Sequence, residues 1–236
     1  MSALLNVAHL AKSFGGVTPV RDVSFSVNEQ SMILITGENG AGKTSLFNLI
    51  TGLERPTGGK ITYNGTSIET KSALQISQLG ITRLYQQPRL FRNLLVWENL
   101  VASARHDVGD KFLRTVLKPK SARQEDEELK LKAVDLLTRF DLQDLSDLAA
   151  GELSYGQQKL ISICMLAMSR TRLALLDEPF AGVNPQTVEQ FCKVILRMRA
   201  EGTTFLIIEH NINKASAIAD AHLEMKDGLI KPLWEK

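Results

Sequence analysis

The chain reads Gly37-Glu38-Asn39-Gly40-Ala41-Gly42-Lys43-Thr44 near its beginning. This octapeptide has the spacing GxxxxGK[ST], in which the backbone N–H groups of a glycine-rich turn surround a phosphate group. It directly follows Ile33-Leu34-Ile35, an uninterrupted apolar run typical of a strand covered on both faces, and a helical pattern follows from about Lys43 to Leu53. Strand, turn and helix in this order predict a phosphate-binding loop, and a flexible glycine turn with an exposed lysine is the alternative.

The residue types of this loop indicate how it would hold a triphosphate. The start of the helix adds partial positive charge, and Lys43 would bridge the β- and γ-oxygens. Thr44 would ligate Mg²⁺, and we count the next residue, Ser45, among the nucleotide-binding residues. The loop therefore predicts a nucleoside triphosphate and Mg²⁺ as ligands.

Composition limits the class of protein. The 236 residues carry a formal net charge of +2, scattered along the chain, so no electrostatic argument favours nucleic acid or acidic lipid as a partner. Only Cys164 and Cys192 are present, without metal-ligand spacing, and we expect buried, inert thiols. No apolar run approaches the ~20 residues that span a bilayer, and the first residues do not resemble a signal peptide. We therefore expect a cytoplasmic protein that reaches a membrane only through a partner.

The remaining pattern predicts an α/β protein with a mixed sheet. Residues 4–10 and 20–27 read as half-buried antiparallel strands, and Asn64-Gly65 and Asp227-Gly228 are hairpin turns. Parallel strands are predicted at 173–176 and 205–208, with a helix between them that Asn184 caps and Pro185 begins. Between about residues 87 and 168 the pattern is helical and more charged. We predict a single domain, 1–236, with a nucleotide-binding core and β subdomain at 1–86 and 169–236 and an inserted helical subdomain at 87–168.

Two carboxylates, Asp177 and Glu178, follow the buried run 173–176. They therefore lie at the carboxyl end of a parallel strand, where open α/β sheets bind ligands. Asp177 would hold Mg²⁺, and Glu178 would polarise the water that attacks the γ-phosphate. The alternative is a solvated acidic turn, and the presence of a phosphate loop in the same chain makes that interpretation less favourable.

A third motif begins a long helical segment. Leu153-Ser154-Tyr155-Gly156-Gln157-Gln158 has the Ser-x-x-Gln spacing of a capping box. It also resembles the signature LSGGQ of ABC ATPases, and together with the phosphate loop and Leu-Leu-Asp-Glu-Pro it makes nearly the whole chain similar to that family. The resemblance implies that the cofactors are ATP and Mg²⁺. It also implies a head-to-tail pair of ATPase subunits, in which the signature helix of one points at the γ-phosphate held by the other.

The resemblance assigns further residues. Gln86 matches the glutamine that ligates Mg²⁺, His210 the switch histidine that contacts γ-phosphate and orients Glu178, and Phe14 the aromatic ring that stacks on adenine. The signature residues Ser154, Tyr155, Gly156 and Gln157 would contact the nucleotide, with Lys43, Glu178 and His210 as the catalytic set. Asn184 stands in the loop that usually carries aspartate. Two further positions depart from the common pattern: Tyr155 replaces a glycine and Glu38 replaces a proline.

Several stretches resemble one branch of the family, the ATPases of branched-chain (hydrophobic) amino acid uptake systems. They are 89–91, 96–100, the basic stretch 117–120 and 179–185. This branch implies transmembrane permease subunits, a second ABC ATPase subunit and, indirectly, a periplasmic or extracellular binding protein. It also implies a peripheral location on the cytoplasmic membrane face. The alternatives are the ATPase of a urea, amide or lipopolysaccharide transporter, or a soluble ABC ATPase outside transport. A small-molecule kinase or GTPase would explain the loop but neither the signature nor His210.

The permease would receive the motion through a groove near residues 86–97. Leu90, Phe91, Leu94, Leu95 and Trp97 offer apolar surface there, and the alternative is that they fill the helical subdomain.

Overall fold

The computed structural model describes residues 3–104, 119–210 and 212–235. The chain divides into two compact units. The first contains Met1–Gln86, Arg172–Ala181 and Leu196–Lys236, and the second contains Gln87–Thr171 and Gly182–Ile195. Residues 182–195 therefore group with the helical unit, although the sequence pattern placed them with the core. Two further expectations lie outside the described residues: the structural role of His106, which matches no motif, and the first half of the basic stretch 117–120.

All described strands belong to the first unit and form one mixed sheet, in the order β5-β4-β1-β2-β10-β9-β3-β8-β7-β6. The strands are β1 (Leu5–Phe14), β2 (Val17–Val27), β3 (Met32–Thr36), β4 (Gly58–Tyr63), β5 (Thr66–Ser67), β6 (Ile81–Leu84), β7 (Leu173–Asp177), β8 (Thr204–Ile208), β9 (Ala221–Lys226) and β10 (Leu229–Glu235). Strands β9, β3, β8, β7 and β6 are parallel neighbours. Strands β5, β4, β1 and β2 are antiparallel. The predicted α/β class with a mixed sheet is confirmed.

The parallel strands are the centre of the core. Every residue of β3 and β8 is buried, as their uninterrupted apolar runs predict for strands covered on both faces. In β2, by contrast, Val23 and Val27 are fully buried while Ser24 and Ser26 are exposed, because an antiparallel strand with one wet face alternates. Parallel strands end at the same edge of a sheet, so β3, β7 and β8 deliver the residues that follow them to one place.

The helices of the described residues are α1 (Lys43–Ile50), α2 (Ala73–Leu79), α3 (Val96–Ser103), α4 (Pro119–Arg139), α5 (Tyr155–Met168), α6 (Pro185–Ala200) and α7 (Ile212–Ile218). Helix α1 is shorter than predicted, because Gly52 takes the left-handed conformation (φ 69°) just beyond it. Both hairpin turns are confirmed: Asn64 and Gly65 have φ 45° and 75°, and Asp227 and Gly228 have φ 51° and 75°.

The second unit is helical. It contains α3, α4, α5 and the first part of α6. Its Asn99 is fully buried, where the side-chain amide accepts from the Phe91 N–H at 2.8 Å and donates to the Phe91 carbonyl at 3.2 Å. These bonds anchor the loop before α3. No described helix has both the length and the apolar character that a membrane span requires.

The two thiols differ. Cys164 is completely buried in α5, and burial raises the pKa of its thiol, so it is the inert group that the sequence predicts. Cys192 in α6 is only half-buried, and the prediction of a buried thiol is wrong there. It lies on a helix with several exposed positions, and helical spacing alone did not identify its face.

Candidate functional site

A cleft of about 260 Å³ opens in the first unit, at the end of β3 where α1 begins. The predicted phosphate loop forms one wall of this cleft. The residue after β7 and the last residue of β8 form another. The lining residues are Pro19, Asn39, Gly40, Gly42, Lys43, Thr44, Ser45, Glu178 and Ile208.

Two glycines of the loop are required by the space around them. Gly37 and Gly42 have φ 150° and 104°. A Cβ atom would lie 2.1 Å from the carbonyl oxygen of Met225 at the first position and 2.0 Å from that of Pro19 at the second. No side chain fits at such distances, so the backbone of the loop can pass close to its neighbours only with glycine.

Helix α1 begins at this cleft without a side-chain cap. Gly42 is its N-cap and carries no side chain that could accept from the first-turn N–H groups. The first N–H groups of a helix have no partner inside the helix, and together with the helix dipole they favour an anion. The start of α1 therefore provides the N–H donors expected of a phosphate site.

Lys43 is held beneath the loop. The residue is 6% exposed, and its Nζ atom donates to the carbonyl oxygens of Gly37 at 2.7 Å and Glu38 at 2.9 Å. Burial lowers the pKa of the Lys43 ammonium, while the nearby carboxylates of Glu178 and Asp177 oppose that shift. The side chain of Glu38 itself is exposed.

Glu178 is fixed from two sides. Its Oε1 lies 3.1 Å from Nε2 of His210, and its Oε2 accepts from the side-chain amide of Gln86 at 3.1 Å. Its backbone is left-handed (φ 48°), and its N–H donates to the carbonyl of Ile208 at 2.9 Å. The structure thus brings Gln86, Glu178 and His210 together next to the phosphate loop.

Asp177 ends β7 and forms an ion pair with Arg83 of β6, between Oδ2 and Nη2. Both side chains are largely enclosed, at 14% and 5% exposure. Arg83 was not identified as a site residue from sequence. A signal existed, because Arg83 stands within the mostly apolar run 81–85 and an arginine that becomes buried needs a carboxylate partner.

Glu209 is a second residue that sequence reasoning missed. It is 2% exposed, and its carboxylate accepts from the backbone N–H groups of Phe180 at 2.6 Å and His210 at 3.1 Å. It ties the turn after Glu178 to the end of β8. A carboxylate directly after a strand of five buried residues was visible in the sequence, but its acceptor role depends on a turn that is remote in the chain.

Phe14 does not line the cleft. Its ring, at the end of β1, is 47% exposed and has the Nζ of Lys12 at 4.6 Å from its centroid. The alternative that Phe14 belongs to the core is therefore wrong. An exposed ring next to a lysine is available for stacking.

The signature motif lies in the second unit. Ser154 caps α5, its Oγ accepting from the Gln157 N–H at 3.3 Å, while Oε1 of Gln157 accepts from the Ser154 N–H at 2.9 Å. The predicted capping box is confirmed. A Cβ atom at Gly156 would lie 3.1 Å from Cγ2 of Thr187, which is a tight contact. The side chain of the neighbouring Tyr155 is exposed.

The loop before α6 belongs to the same unit. The Oδ1 of Asn184 accepts from the N–H of Thr187 at 2.9 Å and Pro185 begins the helix, as predicted. The amide thus acts as a helix cap here.

The site and fold together define a nucleotide hydrolase: a glycine-rich loop between a buried strand and a helix, with a held carboxylate across the cleft. The family model described as "ABC transporter" matches residues 20–181 of the chain. The chain belongs to this family, and it is an ATP-binding and ATP-hydrolysing subunit of an ABC transporter.

Named relatives agree with this assignment. The chain is 34% identical over 226 residues to the high-affinity branched-chain amino acid transport ATP-binding protein BraF of Pseudomonas aeruginosa, covering 95% of this chain and 89% of the relative. It is also 34% identical to LivG of Escherichia coli K12, with the same description, over 92% of this chain and 86% of the relative.

Two solved structures have the same fold. One is a nucleotide-free ATP-binding cassette from an ABC transporter, with a TM-score of 0.84, 30% identity and coverage of 100% of this chain and 92% of that one. Another is the ADP conformation of such a cassette, with a TM-score of 0.83, 31% identity and coverage of 98% and 90%.

Proposed function

We propose that this subunit drives a transporter of branched-chain or other hydrophobic amino acids. The substrate class comes from relatives such as BraF and LivG, which are described as branched-chain amino acid transport ATP-binding proteins. We further propose that the chain works as one of two paired ATPase subunits, peripheral on the cytoplasmic face of the membrane, with transmembrane permease subunits and, indirectly, an extracellular or periplasmic binding protein.

The observation that supports the catalytic assignment is the position of Glu178 across the cleft from the phosphate loop. In the proposed mechanism the loop residues Gly37–Ser45 bind the phosphates through backbone N–H groups, and Lys43 turns from the loop carbonyls to the phosphate oxygens. Glu178 then accepts the proton of the attacking water. Gln86 and His210 hold its two carboxylate oxygens, so the base is oriented before the nucleotide arrives.

Mg²⁺ fits the donors around this cleft. Magnesium prefers oxygen ligands and usually needs only one or two carboxylates beside phosphate and water. We assign it to the hydroxyl of Thr44, the carboxylate of Asp177 and the amide oxygen of Gln86, whose Nε2 faces Glu178. A bound magnesium ion would neutralise charge that develops on the phosphates.

The signature residues complete the site from a second subunit. Ser154–Gln157 begin α5 with their N–H groups organised by the capping box, and Gly156 keeps the backbone approachable. In the proposed dimer this helix start faces the γ-phosphate held by the partner, and Phe14 stacks on adenine. We also propose that residues 87–168 act as the inserted subdomain that receives the permease near 86–97, where Phe91 is 60% and Leu94 36% exposed.

The role of Glu178 is tested by the variant Glu178→Gln. Because the amide cannot accept the proton of water, we expect ATP hydrolysis to fall at least about 100-fold while ATP affinity stays within about threefold. The ATP-bound dimer should accumulate, which gel filtration with and without ATP detects.

Glu29→Gln is the control, because it changes a carboxylate of an exposed ion pair with Arg172 and should leave ATP hydrolysis unaltered. Lys43→Ala is the contrasting variant, because it should weaken nucleotide binding itself. Near-normal hydrolysis by Glu178→Gln would reject Glu178 as the base.

A further inference from the structure

The ion pair between Arg83 and Asp177 is not explained by the proposed chemistry. Arg83 lies on β6, which pairs in parallel with β7, and its Nη2 donates to Oδ2 of Asp177. With side chains 5% and 14% exposed, the pair is largely removed from water. A charge in such a place is tolerated only with a partner of opposite sign.

The guanidinium is also fixed in place by α1, the helix that follows the phosphate loop. Its Nη1 donates to Oδ1 of Asn48 at 2.6 Å, and Asn48 donates onward to Glu54 at 2.7 Å. The rings of Phe47 and Tyr85 lie 5.5 Å and 4.9 Å from the guanidinium carbon. A planar, permanently charged group suits such a sandwich, because it keeps hydrogen bonds at its edge and stacks on its faces.

The charge of Asp177 matters at the phosphate loop. Its carboxylate, with that of Glu178, acts electrostatically on the ammonium of Lys43. Two uncompensated carboxylates next to the cleft would repel the phosphates of a nucleotide bound there. Arg83 cancels one of them, and it contacts Oδ2, so the same carboxylate still has Oδ1 to offer to a metal ion.

We propose that Arg83 is the built-in counter-ion of Asp177 and allows the phosphate loop to bind a nucleotide without Mg²⁺. The inference rests on the proposed function of the loop. Since a metal ion that arrives with the nucleotide brings its own positive charge, the contribution of Arg83 is largest for the metal-free nucleotide. Arg83 is thus a positioning and charge-balancing residue that need not touch the substrate.

The test is the affinity for ADP, measured by calorimetry in EDTA and in excess Mg²⁺, at a pH well above the ordinary pKa of aspartate. For Arg83→Met we expect affinity to fall about tenfold in EDTA but less than about threefold in Mg²⁺. Arg83→Lys keeps the charge and should stay within about threefold in both. Arg172→Met, which removes the arginine of an exposed ion pair, is the matched control and should change neither value.

Other outcomes overturn the proposal. If Arg83→Met binds ADP equally more weakly in EDTA and in Mg²⁺, Arg83 only stabilises the fold. If ADP binding weakens in Mg²⁺ alone, Arg83 places Asp177 for the metal. If the ADP affinity is unchanged in both, the ion pair has no role in nucleotide binding. Failure of the unmodified protein to bind ADP at all would instead contradict the proposed function.

A second comparison covers the case in which Arg83→Met folds poorly. The double variant Arg83→Met/Asp177→Asn removes both charges of the pair and leaves no buried charge without a partner, so its ADP affinity in EDTA should stay within about threefold of the unmodified protein. A tenfold loss of affinity in the double variant would contradict the counter-ion role.

Discussion

Glu178 is placed by its backbone as much as by its side chain. A left-handed conformation at a residue other than glycine costs about 1–3 kcal/mol and persists only where the surroundings enforce it. Here the N–H bond to Ile208 fixes the turn, and His210 and Gln86 hold the carboxylate. This strained backbone directs the Glu178 carboxylate toward the cleft, as its proposed role as the catalytic base requires.

Glu38 puts an exposed carboxylate on the phosphate loop. We expect Glu38→Gln to tighten nucleotide binding about two- to fivefold at low ionic strength, because a charge that repels the phosphates is removed while the carbonyl that accepts from Lys43 remains. Titration with nucleotide at low and high salt measures this, and the gain should shrink at high salt. An unchanged affinity at low salt would show that the side chain points away from the bound nucleotide, and Glu29→Gln controls for a change in overall charge.

At the scale of elements, β9 and β10 support the strand that leads into the loop. Thr36, the last residue of β3, forms a 2.7 Å hydrogen bond with Nε2 of His222 on β9. The His222 side chain is 4% exposed and has the ring of Trp234 on β10 edge-on at 5.7 Å. His222 matches no motif of the family, and its buried contact with Thr36 gives it a structural role.

The burial of His222 makes the free energy of unfolding depend on pH. Burial lowers the pKa of His222 from its ordinary 6.5, with Glu224 opposing the shift, so the unfolded chain binds the proton more readily. The contribution to the free energy of unfolding is therefore present above about pH 6.5 and is lost as the pH falls below it. Between about pH 8 and about pH 5.5, urea unfolding should show a smaller loss in the free energy of unfolding for His222→Gln than for the unmodified chain. An equal loss in both proteins would contradict the role of His222 in this pH dependence.

The sequence predicted most of the elements, because their signals are local. Asn64-Gly65 allows a tight turn, Ser154 with Gln157 caps a helix, and the apolar run before Gly37 is typical of a covered strand. Arg83 and Glu209 were missed because each acts on a partner that is distant in the chain, and no local pattern contains that partner. Cys192 shows the same limit, since a helical repeat does not say which face a helix buries.

At the scale of the whole molecule, each chain carries two different parts of the proposed site. The phosphate loop, Asp177, Glu178 and His210 belong to the first unit, and the signature residues Ser154–Gln157 belong to the second. In the proposed dimer, each ATP site combines the phosphate loop of one subunit with the signature residues of the other, which would couple ATP binding to subunit pairing. The permease would then receive the motion of the pair.

An ATPase that drives a membrane transporter should copurify with its membrane partner, which affinity purification from detergent-solubilised membranes measures. With the tagged Glu178→Gln variant and ATP present, we expect a polytopic membrane protein to copurify, because the closed dimer persists and stays docked. Recovery of the chain with ribosomes or DNA, and without any membrane protein, would contradict a role in a transporter.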